Sequence, residues 1–574
     1  MIDFDPWGKE ESPDQAEVTA APSEVPSADR KSAAVVLVEL AQARYRFGVT
    51  EEGEPFAVPV AGGHVVRMLR GGRTSLRAEI AALYRRHTGR VPAQQALADA
   101  LLVLEGEAQS GDPERVHLRV AEAQGAVWVD LGDATEQAVR ITPGEWAVVA
   151  TAPVLFRRTA LTGPLPMPQQ GGDLSVLWSQ VNVSTPDRAL VLAWLASAVL
   201  CPEIPHPILA LFGEQGTGKS TASRTFVSLI DPSPVPLRKP PRDADGWVTA
   251  AAGSWCVGLD NLSTVPDWLS DSLCRAATGE GDVRRQLYTD GGLAVFAFRR
   301  VLLLNGIDVG AMRGDLAERL VLVNVNRISE RSRLTETKLA KRWTEQYPLL
   351  FGALLDLVAG LAGILPSVRL DSSPRMADFA LVVAGVDRML GTGGLARFAE
   401  QARTMAEDSL DADPFLAAMR TGLHTPFTGT AAELRTAVTP VDEGWRAPRD
   451  WPKNARQVTS LLRRNAPALR KAGWQVGDHG TANKAGVTTW QVSPPGHPEI
   501  VRIPSPPPPP SPPVQVNVPT EAGKAGIGRE GRAAAGREAG LAGKEYPPST
   551  DDSTCTRSGR ASFYDLWDQA VASA

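Results

Sequence analysis

HPILALFGEQGTGKSTASRTFVSLI, residues 206–230, carries three signals in immediate succession. Ile208 to Phe212 is a short, wholly apolar run of the kind found in a strand buried on both faces. Gly213-Glu214-Gln215-Gly216-Thr217-Gly218-Lys219-Ser220 fits the pattern GxxxxGK[ST], and Thr221 to Leu229 has the spacing of a helix. Strand, glycine-rich loop and helix in that order predict a parallel α/β sheet with an anion cradle at the helix start. Glycines remove the Cβ atoms that would keep backbone N–H donors away from a phosphate chain, and the helix N-terminus adds its positive end. Residues 213–221, Thr221 included, are therefore the expected nucleotide-binding segment, for ATP. Lys219 would reach the β- and γ-phosphates, and the Ser220 hydroxyl would ligate Mg2+.

Working outward, the same design recurs. Ser254-Trp-Cys-Val-Gly-Leu-Asp260-Asn261 is an apolar run ending in a carboxylate, expected on a neighbouring strand as the second magnesium anchor. Arg299-Arg-Val-Leu-Leu-Leu-Asn305 ends in an amide, which either orients an attacking water or simply opens the Asn305-Gly306 turn. Arg319, in GDLAERLVLVNV, is a cation that would reach the phosphate of an adjoining subunit; Arg313 competes for that role, and a surface ion pair is the plain alternative for both.

These elements resemble the AAA+ division of P-loop ATPases, and more closely the superfamily 3 helicases of the poxvirus type, the primase-helicases of phages and integrated elements. The resemblance covers roughly Leu177 to Leu423. It implies that Gly213 to Ser220 is Walker A, Asp260 the Walker B aspartate, Asn305 sensor 1 and Arg319 an arginine finger within a homo-oligomeric ring. Between Asp260 and Asn305 such motors place a basic hairpin facing the pore; here PDWLSDSLCRAATGEG is followed by DVRRQLYTDGG, so Arg284 and Arg285 are the candidates for gripping single-stranded DNA, with a solvated loop as the alternative. The sequence departs from the pattern at Asn261, where an acid is usual. An amide does not accept a proton from water, so Glu280, Asp282 or Glu214 would have to serve, or turnover is slow.

The remainder of the chain is read from composition and periodicity. It has 574 residues with 60 basic and 65 acidic side chains, a net charge of −5, so a global positive field is absent and any DNA contact must be a local patch. Cys201, Cys256, Cys274 and Cys555 are scattered without a CxxC pair, which speaks against a zinc site or a disulfide framework and for a reducing, cytoplasmic setting. The one membrane-like stretch, Tyr347 to Pro366, has Asp356 at its middle and reads as a buried helix.

The expected organisation is a disordered acidic segment 1–31, an α+β domain 32–165 of unknown role, a P-loop ATPase core 177–330, a helical lid domain 331–423, a winged-helix-like domain 427–493, and a Pro-rich linker and tail 494–574. In the first domain, Ala33 to Phe47 reads as helical, a hairpin turns at Glu52-Gly53, helix returns over Leu76 to Glu107, and ERVHLRVAE, AVWVDLG and WAVVATAPVLF alternate as strands. It shows no carboxylate trio for two-metal nucleotidyl transfer. Between Arg446 and Lys471 there are eight Lys/Arg and one acid. Helical spacing turns Val458, Leu461, Leu462 and Leu469 inward and Lys453, Arg456, Arg463 and Arg464 outward. This segment resembles the winged-helix module at the C-terminus of phage primase-helicases, with Trp474 to Trp490 as the wing. The resemblance implies that Lys453, Arg456 and Arg463 face duplex DNA, and a basic protein-docking helix is the alternative. A final amphipathic segment, Ser562 to Ala572, either docks on a partner or frays. The function expected is a DNA-dependent ATPase of helicase type in phage or mobile-element replication. A nucleotide-dependent switch with little turnover is the second reading, and a small-molecule kinase the third.

Overall fold

A computed structural model describes residues 31–71, 75–280, 282–285, 293–296, 298–306, 314–329, 333–372, 374–442, 444–478 and 488–496. The chain divides into two compact units, Met1–Val309 with Leu320–Leu395, and Gly310–Arg319 with Ala396–Ala574. Residues 1–30 and 497–574, which take in nearly all of the expected acidic segment and of the Pro-rich linker and tail with Ser562 to Ala572, lie outside the described residues.

The first unit begins with α1 (Ala33–Gln42), β1 (Tyr45–Thr50), β2 (Pro55–Pro59), β3 (Val65–Met68), α2 (Leu76–Thr88) and α3 (Gln94–Gln109). Short strands follow: β4 (Pro113–Glu114), β5 (Val116–His117), β6 (Val120–Ala123), β7 (Ala126–Asp130), β8 (Ala138–Thr142), β9 (Glu145–Val149) and β10 (Leu155–Arg157). They form a six-stranded sheet in the order β4-β1-β2-β3-β10-β5 and a four-stranded meander β6-β7-β8-β9. The β1–β2 hairpin turns at Gly53 as expected. Helix does not run to Phe47, however: it stops at Gln42, because Tyr45 pairs with Pro59 and the Val60 N–H donates to Arg44 O. Helix over Leu76 to Glu107 is likewise broken, at Gly89, whose φ of 71° ends α2. Strands β3 and β8 fall outside the stretches whose pattern predicts strands.

Next come α4 (Arg188–Leu200), β11 (Ile208–Phe212), α5 (Lys219–Ile230), β12 (Leu237–Arg238), α6 (Ala244–Ala252), β13 (Cys256–Leu262), α7 (Asp267–Thr278), the hairpin β14 (Asp282–Arg285) and β15 (Leu293–Phe296), β16 (Val301–Gly306), α8 (Gly314–Ala317) and β17 (Leu320–Asn324). Strands β12-β13-β16-β11-β17 make one sheet, and every pairing in it is parallel. Their apolar runs are buried on both faces, as parallel strands require. α4 is buried along its whole length after Arg188 and packs against α9 (Glu336–Ile364) and α10 (Ala377–Leu390).

α9 contains the stretch read as membrane-like. By length and composition it could cross a bilayer, yet 67% of its most apolar window is buried inside the protein, and Trp146 Nε1 donates to Asp356 Oδ1 at 2.7 Å. Gly352 is required there, since a Cβ would stand 1.8 Å from Gln169 O. A larger residue could not be accommodated without moving backbone.

A buried ion pair ties the N-terminal sheets to the parallel sheet. Arg119 Nε donates to Asp231 Oδ1 at 2.9 Å, and the side chains are 0% and 5% exposed. The other guanidinium nitrogens donate to Asp130 O and Gly163 O, while Asp231 Oδ2 accepts from the N–H groups of Trp255 and Cys256. Asp231 caps the C-terminal end of α5, so this network fixes the helix that follows the glycine loop.

The second unit holds α8, most of α11 (Gly394–Asp411), then α12 (Pro414–Gly422), β18 (Phe427–Thr430), α13 (Ala431–Val438), α14 (Ala455–Lys471), β19 (Gln475–Asp478) and β20 (Thr489–Ser493). The helices expected as one domain over 331–423 thus fall in both units: α9 and α10 in the first, α11 from Ala396 and α12 in the second. Leu410, Phe415, Leu416 and Met419 share one core with Val458, Leu462, Trp474 and Trp490, which explains the division. Its strands form an antiparallel sheet in the order β18-β20-β19. A reciprocal capping box between Thr430 and Glu433 starts α13, and Asn454 Oδ1 caps α14 by accepting from the Gln457 N–H.

Candidate nucleotide-binding site and basic helix

The glycine loop leaves β11 at Gly213 and enters α5 at Lys219. Gly213, Gly216 and Gly218 have φ of 149°, 76° and 86°, so three L side chains would be strained where the cradle bends. Thr217 is buried and its hydroxyl donates to Glu214 O at 3.0 Å, closing the loop on itself. Lys219 Nζ donates to Gly213 O at 2.7 Å and Glu214 O at 2.6 Å. Partial burial holds this ammonium below the ordinary lysine range. Held by neutral carbonyls alone, it favours an incoming anion, whose charge would offset the desolvation. Glu214 and Gln215 are exposed, and Thr221 lies half-buried in the first turn of α5.

Asp260 stands at the end of β13, but β13 is not the immediate neighbour of β11: β16 lies between them. The carboxylate reaches the loop because α5 packs across β13 and β16, which brings Ser220 Oγ within 3.1 Å of Asp260 Oδ1. Two hard oxygen donors side by side at the start of the helix suit Mg2+, which takes few protein ligands and keeps several waters. Among the described residues there is no group of three or more His, Cys, Asp or Glu placed to hold a metal ion.

The pairing of β13 with β16 shifts register between Leu259 and Leu262, and Asn261 at that irregularity has φ of 58°. Asparagine tolerates this left-handed conformation better than most residues. Its N–H, released from the ladder, donates to Asn305 Oδ1 at 2.9 Å. Asn305 is 2% exposed, and its Nδ2 donates to Ser223 Oγ at 3.1 Å. Both ends of the Asn305 amide are therefore engaged in holding the Asp260-Asn261 corner against α5. Ser223 had no distinguishing mark in the sequence; its role follows only from the helix turn that places it beside β16.

Of the remaining expected residues, Arg284 and Arg285 lie on β14 opposite Ala294 and Leu293 of β15, while Arg313 and the side chains of the hairpin lie outside the described residues. Asp282 begins the same strand, and Glu280 is exposed just before it. Arg319 belongs to the second unit and pairs with Asp315 at 2.6 Å. Neighbouring Glu318 accepts from Lys471 Nζ at 2.9 Å.

On α14, Val458, Leu462, Ala466 and Leu469 are buried, whereas Arg456, Arg463, Arg464, Arg470 and Lys471 are exposed; Leu461 is half-buried rather than fully inward. Lys453 is exposed just before the cap, its backbone held by Gln457 and Arg435. Arg463 Nη2 donates to Asp478 Oδ2 at 3.2 Å and lies 6.0 Å from the Trp490 ring centre.

Comparison with known proteins adds the following. Residues 174–410 match the family described as actinomycete integrative conjugative element replication protein, and residues 412–505 match the AICE RepA C-terminal domain. No curated protein matches the chain. Among solved structures, the A form apo structure of the NrS-1 C terminal region is similar at 13% identity, covering 82% of this chain and 100% of that one with a TM-score of 0.36. A second apo structure of that region covers 81% of this chain and 100% of its own at 13% identity, with a TM-score of 0.32.

Proposed function

We propose that this chain, whose residues 174–410 and 412–505 are similar to the replication proteins of actinomycete integrative conjugative elements, is itself such a replication protein and an ATP-binding P-loop ATPase working on DNA. The observation that carries this reading is the Ser220–Asp260 contact at 3.1 Å beneath a loop whose three glycines all have positive φ. Such a cradle suits a triphosphate, and the oxygen pair suits the magnesium ion that accompanies it. Magnesium would neutralise charge on the phosphates; Lys219 would bind the β- and γ-oxygens, and Asn305 would keep Asp260 in place through Asn261.

The second unit supports the DNA-binding half of the proposal. Its order α12-β18-α13-α14-β19-β20, with β20 between the other two strands, sets the helix pair α13 and α14 between strands of one small sheet, and α14 presents its arginines outward. Lys453, Arg456 and Arg463 would contact phosphates of a duplex, and Arg284 and Arg285 a single strand. In a homo-oligomeric ring Arg319 would act on the neighbouring subunit's nucleotide, as the family resemblance implies. A cytoplasmic, soluble setting belongs to the same proposal.

Asn261 favours the second reading, a switch that binds ATP and turns over little, since that position offers an amide in place of a base. ATP hydrolysis measured with and without single-stranded DNA separates the two. Stimulation by DNA, abolished in Lys219→Ala, supports the motor; ATP-dependent DNA binding without turnover supports the switch. Hydrolysis that persists unchanged in Lys219→Ala would refute the motor, and ATP-dependent DNA binding unchanged in that variant would refute the switch.

A further inference from the structure

The chain leaving β17 does not pass straight to α9. Its first residues are pinned to the segment before α4: Val325 forms an antiparallel bridge with Val183, the Asn326 N–H donates to Asn182 O at 2.9 Å, and the Ser184 N–H donates to Asn324 O at 3.0 Å. Three residues that follow β17, Val325, Ile328 and Arg333, lie beside the glycine loop. Val325 O lies 3.3 Å from where a Cβ on Gly213 would stand, and Ile328 Cδ1 lies 3.1 Å from the corresponding point on Gly218. Arg333, three residues before α9, donates from Nη2 to Gly216 O at 3.2 Å. Val325, Ile328 and Arg333 thus lie one against each of the three glycines of the cradle, and Arg333 brings a cation.

A guanidinium offers five donors in a planar fork suited to two phosphate oxygens, and a single neutral carbonyl at 3.2 Å uses little of that capacity. Arg333 is exposed, so no packing holds it on Gly216. A nucleoside triphosphate brings more negative charge than Lys219 and one magnesium ion neutralise. Lys219 Nζ on Gly213 O and Glu214 O marks the part of the loop where the outer phosphates would lie. Arg333 reaches the same stretch, at Gly216, while apolar Ile328 faces the helix start at Gly218.

We propose that Arg333 is a second phosphate-binding cation of this site, supplied by the same chain, which exchanges Gly216 O for the terminal phosphate of a nucleoside triphosphate and so distinguishes triphosphate from diphosphate. The inference rests on the nucleotide-binding reading above. It is tested by calorimetric titration of the full chain with MgATP and with MgADP, comparing the unaltered protein, Arg333→Ala, Arg333→Lys and Lys219→Ala. Arg333→Ala should weaken MgATP by about ten- to a hundredfold, the worth of a hydrogen bond to a charged group, with MgADP changed by less than about twofold. Arg333→Lys, which keeps the charge and loses the fork, should fall between the two. Equal weakening of both nucleotides, or unaltered MgATP binding, overturns the role of Arg333 while leaving the nucleotide site standing. If the unaltered protein binds neither nucleotide, the underlying reading fails, and this inference fails with it.

Discussion

Replacing Asp231 by alanine would remove the partner of a guanidinium that has no contact with solvent. Arg119 is 0% exposed; two of its nitrogens keep their carbonyl acceptors at 2.9 and 2.8 Å, but the charge itself is left uncompensated. Breaking a buried pair from one side costs about 3–5 kcal/mol. The Trp255 and Cys256 N–H groups, now 2.8 and 3.0 Å from Asp231 Oδ2, would also lose their acceptor. Each such group left unsatisfied costs about 1–3 kcal/mol, and since the terms overlap, about 5 kcal/mol is expected in total. That is a large share of the roughly 5–15 kcal/mol that a folded domain possesses. Asp231→Asn, which keeps an oxygen for the amides but still leaves the Arg119 charge uncompensated, should cost about 3 kcal/mol, the lower end of the range for a buried pair broken from one side. The pair Arg119→Met with Asp231→Leu should cost less than Asp231→Ala alone, because no orphaned charge remains. Urea unfolding followed by tryptophan fluorescence measures all three. A loss below about 1 kcal/mol in Asp231→Ala, or a double variant less stable than the single one, would refute the view that this pair clamps α5 to the N-terminal sheets.

Acid should weaken the first unit before it reaches carboxylate pKa values. Burial pushes His206 down to about 3 and His117 down to about 4, and holds His64 below the ordinary histidine value, so the folded state keeps these rings neutral while the unfolded chain protonates them near pH 6.5. The stability they contribute is therefore complete above about pH 6.5 and is lost as pH falls, with a slope approaching about 1.4 kcal/mol per pH unit for each ring. Urea midpoints at pH 7.5 and 5.5 test this, and His206→Asn should flatten the dependence; equal midpoints for the unaltered protein contradict it. On α14, Arg456→Ala should weaken duplex binding across sequences and reduce the salt dependence of affinity by about one phosphate contact, read by fluorescence anisotropy at several salt concentrations. An unchanged salt slope would favour a protein-docking role for the helix.

What could be read in the sequence was local. A strand, a glycine loop and a helix are contiguous from Ile208 to Ile230, so periodicity and turn chemistry suffice to find them, and the same holds for the Glu52-Gly53 hairpin and the apolar stripe of α14. What could not be read depends on partners far apart in the chain. The placing of β16 between β11 and β13 is set by packing and not by any residue of either strand. Asn305 shows in the sequence as an amide ending a strand, but its grip on Asn261 spans 44 residues. Arg333 lies 117 residues from Gly216, and Arg119 lies 112 from Asp231. The division inside α11 was equally hidden, because α11 and α12 look like a continuation of α9 and α10 until the core shared by Phe415 and Trp451 is seen.

Calorimetric titration of MgATP into the full chain at neutral pH, beside Lys219→Ala, addresses the central claim most directly. One saturable site in the unaltered protein, weakened by about tenfold or more in the variant, is the predicted result, since Lys219 supplies a charge-assisted contact to the phosphates. Absence of heat from a folded protein, or equal binding by the two, would mean that the glycine loop between β11 and α5 is a turn and not a nucleotide site.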